Sequence, residues 1–192
     1  MEPKHINDVM EDKNWVKAMQ EELEQFQKND IWKLVELPQG KKAMGAKWVF
    51  RNKLDAAGKV VRNKGRLVEK GYSQQEGIDY TKTFIDIGCL EAICILISFA
   101  SHTKMRLYQM DIKRTYLNGV IQEVYVEQPP GFKSNTFPHH VFKLYKALYG
   151  LKQAPRAWYE CLSSFLLNNS FERGKMDATL FQKNYDSQFI LV

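Results

Sequence analysis

A chain of 192 residues can bury one substantial core or two small lobes. With 44% apolar and 26% charged residues, it is an ordinary globular mixture, which excludes a disordered or low-complexity segment. The net charge of +6 is unevenly spread: residues 41–70 hold ten Lys/Arg against Asp55 and Glu69, a local +8 that leaves the remainder at −2.

A local excess of that size favours a polyanionic partner such as nucleic acid or nucleotide phosphates, with a solvated basic face as the plainer alternative. No apolar run approaches the roughly 20 residues that span a bilayer, so no membrane role is expected. The opening MEPKHINDVMEDKN lacks the apolar core of a secretory signal. Cys89, Cys94 and Cys161 show no metal-ligand spacing, and an odd count without a signal peptide suggests reduced thiols inside the cell, in the cytoplasm or nucleus.

In chain order, residues 12–28 place Trp15, Val16, Met19, Leu23 and Phe26 on one helical face, an amphipathic helix ended by Asn29-Asp30. IWKLVELP alternates as a short strand. AKWVFRNKL (46–54) and VVRNKGRLVEKGY (60–72) read as a β-hairpin joined by DAAGK, whose Asp55 and Gly58 suit a turn. Lys47, Arg51 and Lys53 on one strand, and Arg62, Lys64, Arg66 and Lys70 on the other, recur at mostly even spacing. Side chains two apart share a strand face, so the hairpin is expected to present one cationic face. CLEAICILISFASH (89–102) is predicted as a buried helix, LYQMDI (107–112) as a strand, Asn118-Gly119 as a turn, and EVYVEQ (123–128) and VFKL (141–144) as strands. Residues 155–169 read as a helix opened by Pro155, and TLFQK and FILV are strand-like. Strands broken by separate helices point to an α+β fold, divided as an N-terminal helix region (1–30), a region with the basic hairpin (31–104) and a last region (105–192).

Asp111 ends an apolar strand in QMDIK, where a carboxylate has no evident structural need, although a strand-end Asp is often only a turn or cap. Tyr116 follows five residues later. A carboxylate and a ring this close can serve a metal-bound nucleotide, one holding Mg²⁺ and the other packing on the sugar; a core aromatic under a loop is the plainer reading of Tyr116.

The blocks WVFRNK…RNKGRLVEKGYSQQEGIDY, LYQMDIKRTYLNGVIQEVYVEQPPGF and VFKLYKALYGLKQAPRAWYECL resemble the reverse transcriptase domain of copia-type LTR retrotransposons. The likeness runs from about Trp15 to Val192, and ALYGLKQAPRAWY is its most specific string. The resemblance implies the fingers and part of the palm of a right-hand polymerase. Asp111 matches the first catalytic aspartate, which binds both Mg²⁺ ions, with the backbone carbonyl of Ile112 as a further ligand. Tyr116 matches the steric gate, where the family usually has Phe. Lys64 and Arg66 match the fingers strand that faces the triphosphate. Tyr149, Gly150, Lys152, Gln153 and Pro155 match the segment that holds template and nucleotide. An RNA template, a DNA primer, a deoxynucleoside triphosphate and the remainder of a Pol polyprotein are the implied partners.

In the family, the strand matching FILV runs into Tyr-Val-Asp-Asp, whose carboxylates complete the metal site. The sequence stops at Val192, so the expectation is a fragment inactive alone, with a non-catalytic RNA- or DNA-binding remnant of a degenerate element as the alternative. The blocks also depart from the family. Lys82-Thr83-Phe84-Ile85-Asp86-Ile87 replaces Glu-Thr-Phe-Ser-Pro-Val, Cys89 and Cys94 replace Arg, Arg114 replaces a small residue, and Glu69 replaces Ala, where it is expected to weaken phosphate attraction.

Overall fold

Trp15, Met19 and Phe26 recur at helical spacing, and helix α2 (Lys13–Lys28) buries all three. The side chain of Asp12 opens it by accepting from the Asn14 N–H at 2.9 Å, a standard N-cap. A one-turn helix, α1 (Ile6–Met10), precedes it. Asn29 closes it by donating from its amide to the Gln25 carbonyl, and Asp30 turns the chain at a φ of 50°. The computed structural model describes residues 2–3, 6–80, 83, 90–186 and 188–192. The departures at 82 and 84–87 and Cys89 lie outside them.

Strand β1 (Trp32–Val35) is an edge of an antiparallel sheet whose centre is β5 (Val141–Lys146) and whose far edge is β4 (Val120–Val126). Strands β2 (Ala46–Leu54) and β3 (Val60–Glu69) form the hairpin. Its turn is set by Asp55, whose carboxylate accepts from the Ala57 and Lys59 N–H groups, and by Gly58 at a φ of 78°, a conformation glycine adopts without strain. The register sets Arg51 opposite Lys64 and Lys53 opposite Arg62, so the cationic face is present. Like charges directly opposite each other destabilise a sheet, which leaves this face in need of anions. The opposite face sets Trp48 and Phe50 beside Leu67 and Gly65 and receives α2: Trp15 meets Phe50 edge to face at 5.3 Å. A Cβ on Gly65 would crowd the Met19 side chain at 3.3 Å, so the glycine permits the close approach of helix and strand.

Helix α3 spans Leu90–Thr103 and α4 spans Ala154–Asn168, with Pro155 in the first turn of α4. Strands β6 (Glu172–Arg173), β7 (Phe181–Tyr185) and β8 (Gln188–Leu191) make a third antiparallel sheet. The main core joins Phe26, Ile31 and Leu67 to Leu117, Leu144 and Leu148, so it draws on all three sequence regions. A smaller cluster of Val9, Trp15, Ala18 and Met19 sits beside it.

Two expectations are corrected. The apolar run at 90–103 is helical but not buried: only Ala100 is, while Leu90 and Ile95 are 70% and 68% exposed. Residues 107–112 pair with no strand among the described residues, and Met110 is 81% exposed. Both misses have one cause. A strand needs a neighbour for its backbone groups, and the strands among the described residues pair only with one another. An apolar helix is buried only where another element covers it.

Candidate functional site

A cleft of about 660 Å³ opens between α2, β3 and residues 111–115. Arg62, Lys64 and Arg66 line it from β3, Glu21 and Glu22 from α2, and Asp111, Ile112 and Arg114 from the third wall, and Tyr149 lines it as well. Even spacing on β3 sets the three cations side by side, and the hairpin register holds that strand against α2. The Arg66 guanidinium lies 4.2 Å from the centre of the Tyr149 ring, a cation–π contact. Tyr149 in turn meets Tyr116 edge to face at 5.1 Å. This run of three side chains ties the hairpin to the 3₁₀ turn Thr115–Asn118.

The third wall is shaped by Arg114, which adopts a left-handed conformation with a φ of 57°. Its carbonyl accepts from the Leu117 N–H at 2.9 Å, and its guanidinium donates to Gln25 Oε1 at 2.6 Å. Asp111 and Ile112 are exposed on the cleft wall.

Electrostatics in the cleft are dominated by basic groups. Burial lowers Lys64 from the usual lysine range, and the neighbouring Arg66 adds to this, with Glu22 opposing. Glu22 is held above the usual carboxylate range by burial, against the pull of Arg114, Arg66 and Lys64. Arg62 has its own partner, Glu21 Oε2 at 2.9 Å.

Lys64, Arg66, Asp111, Ile112 and Tyr149 therefore share one cleft, with Tyr116 packed on Tyr149. Four other candidates do not line it and make scaffold contacts instead. Gly150 sits at a φ of 96°, and a Cβ there would overlap the Glu69 carbonyl, while one on Gly71 would overlap the Gly150 carbonyl. The two glycines allow β3 and the 149–151 turn to cross in contact, where the Glu69 N–H donates to the Tyr149 carbonyl at 2.7 Å. Gln153 Oε1 accepts from the Gln74 side chain at 2.8 Å, and the Lys152 N–H donates to Gln74 Oε1 at 2.9 Å. The Lys152 ammonium lies 5.1 Å from the centre of the Tyr80 ring, and Pro155 opens α4.

The family described as reverse transcriptase (RNA-dependent DNA polymerase) matches residues 29–192. The chain belongs to that family.

Its relatives are copia-type retrotransposon Pol polyproteins. This reverse transcriptase chain is 40% identical over 196 aligned positions to the retrovirus-related Pol polyprotein from transposon TNT 1-94 of Nicotiana tabacum, covering 100% of the chain and 15% of the polyprotein. It is 38% identical over 182 positions to the corresponding polyprotein from transposon RE1 of Arabidopsis thaliana, covering 94% of the chain and 12% of the polyprotein. The chain thus spans about an eighth to a seventh of the length of these relatives. No solved structure matches it. No helix among the described residues is long and apolar enough to cross a membrane.

Reverse transcriptases are generally metal-dependent. Among the described residues, no three His, Cys, Asp or Glu side chains come together to hold an ion. Two closely spaced divalent cations need several anionic ligands, so these residues do not by themselves fit a two-ion site.

Two features of this reverse transcriptase were not anticipated from sequence. Glu22 stands on the polar face of an amphipathic helix, where a carboxylate ordinarily meets only solvent. Glu69 is 2% exposed, and neither of its carboxylate oxygens has a hydrogen-bond partner among the described residues. Burial, assisted by the Glu127 carboxylate, pushes it up to about 9. Burial thus favours the protonated form of Glu69, which lies on the strand face opposite Arg62, Lys64 and Arg66. Period two carried the signal: Glu69 shares its strand face with Gly65 and Leu67, both buried.

Proposed function

We propose that the cleft is the nucleic-acid-facing side of a retrotransposon RNA-directed DNA polymerase, formed by its fingers and part of its palm. Phosphates of the template–primer or of the incoming nucleotide lie on Lys64 and Arg66. Asp111 presents the first carboxylate toward the reacting phosphate, with the Ile112 carbonyl beside it. Tyr116, braced by Tyr149, lies under the sugar and rejects a ribose. The observation that carries this reading is that Asp111 opens into the same cleft as Lys64, Arg66 and Tyr149. Asp111, joined by further carboxylates, would hold Mg²⁺, which would supply charge at the primer hydroxyl and the triphosphate. The chain's own part is to seat phosphates and orient the sugar, and the remainder of a Pol polyprotein supplies further carboxylates.

A second reading, binding of RNA or DNA without catalysis, is favoured by the unpaired state of residues 107–112, which leaves Asp111 without a sheet to fix it.

Both readings require phosphate contacts by β3. Affinity for a fluorescein-labelled single-stranded oligonucleotide, followed between 50 and 200 mM salt, tests this. Lys64→Ala with Arg66→Ala is expected to flatten the slope of log affinity against log salt by about 1.4, and to weaken binding about tenfold or more at the low-salt end. A double variant with the wild-type slope removes these residues from the interface.

A further inference from the structure

Two cations of the cleft are already engaged, and by one helix face. Glu21 Oε2 lies 2.9 Å from Arg62 Nη2. Glu22 lines the same cleft as Arg114, Arg66 and Lys64, whose charges act on it. Gln25 Oε1 accepts from Arg114 at 2.6 Å. Gln25 lies four residues from Glu21 and three from Glu22, so the three share one side of α2. Six basic side chains line the cleft, Lys53, Arg62, Lys64, Arg66, Lys113 and Arg114; this helix face bonds Arg62 and Arg114 directly and sets Glu22 within the field of Lys64, Arg66 and Arg114.

We propose that α2 acts as a built-in competitor for polyanions, its Glu21–Glu22–Gln25 face occupying the cleft cations until nucleic acid displaces it. This rests on reading the cleft as a phosphate site, and it adds a regulation of that site.

The contacts are of a kind that yields. The Glu21 and Arg62 side chains are 44% and 70% exposed, and exposed pairs of long side chains are weak and screened by salt. Glu22 is poorly solvated: burial outweighs the cations around it, so moving its carboxylate into water relieves a burden in the closed state. A nucleic-acid strand offers a row of phosphates in place of two carboxylates, and its binding also releases counterions. The Arg114–Gln25 link has a further consequence. It joins α2 to the wall that carries Asp111, so displacing the helix face frees that wall as well.

The alternative role for the same residues is to orient the cations for phosphate. The two roles predict opposite signs. In the 192-residue chain, Glu21→Gln with Glu22→Gln is compared with Glu24→Gln with Glu36→Gln, which changes the net charge equally at two exposed positions that do not line the cleft. The probe is the same labelled oligonucleotide at 50 mM salt. The cleft variant is expected to bind about tenfold more tightly than the charge-matched control. Gln25→Ala, which alters no charge, is expected to tighten binding a few-fold relative to wild type by freeing Arg114. A cleft variant that binds no better than its control, or more weakly than wild type, overturns the proposal, as does a Gln25→Ala chain that binds less well. If those results come with a loss of binding in Lys64→Ala/Arg66→Ala, the phosphate site stands and the competitor falls. If that double variant also binds normally, both fall.

Discussion

Replacing Glu69 with alanine is expected to stabilise the protein at pH 7 by about 2 kcal/mol. The carboxyl group is buried without a hydrogen-bond partner among the described residues and is pushed from 4.5 up to about 9. Between those values the folded chain keeps a proton that the unfolded chain releases. The stability linked to this group is complete below about pH 4.5 and is lost as pH rises toward 9. Each unit corresponds to about 1.4 kcal/mol, so the loss reaches about 3 kcal/mol at pH 7, from which about 1 kcal/mol is subtracted for the packing that alanine forfeits. Urea unfolding of wild type and Glu69→Ala at pH 5, 7 and 8.5 reads the effect. The gap between them should widen with pH by more than 1 kcal/mol per unit, and parallel profiles would show that Glu69 is charged in the folded state.

Primer extension is expected to fail with the 192-residue polypeptide on an RNA template with Mg²⁺. Among the described residues, no three His, Cys, Asp or Glu side chains gather to hold an ion, while the two-ion chemistry of nucleotidyl transfer relies on several carboxylates. A longer polypeptide that adds the family's Tyr-Val-Asp-Asp segment should extend primers. In that form, Asp111→Asn should lower the rate on the order of 10³-fold, the equivalent of several kcal/mol of transition-state stabilisation. Extension by the 192-residue form, or full activity in the Asp111→Asn form, would mean that other groups carry the metal ions.

Much of this architecture was legible because it depends on local period and turn chemistry. Trp15, Met19 and Phe26 announced α2, and Asp55 with Gly58 announced the hairpin turn. The even spacing of Arg62, Lys64 and Arg66 announced a basic face, and Pro155 marked the start of α4. What sequence could not convey was which surface each element meets. The run around Ile95 promised burial and the run around Met110 promised a strand, but apolar character and alternation do not specify a partner, and both lie open. The site was legible in the same measure. Resemblance nominated ten positions, and geometry sorts them: five line the cleft, Tyr116 packs on one of these, and Gly150, Lys152, Gln153 and Pro155 hold the segment behind Tyr149. Glu22 escaped notice because its surroundings come from β3 and Arg114, remote in sequence and near in space.

Photo-crosslinking decides whether nucleic acid lies where the cationic strand and Asp111 face each other. A single-stranded oligonucleotide carrying bromodeoxyuridine is irradiated with the 192-residue chain, and the attached peptides are mapped by mass spectrometry. Crosslinks are expected on Tyr149 and Tyr116 and on residues 62–66. Crosslinks confined to exposed aromatics that do not line the cleft, such as Tyr185 and Phe189 on the β7–β8 hairpin, with none in the cleft, would contradict the assignment.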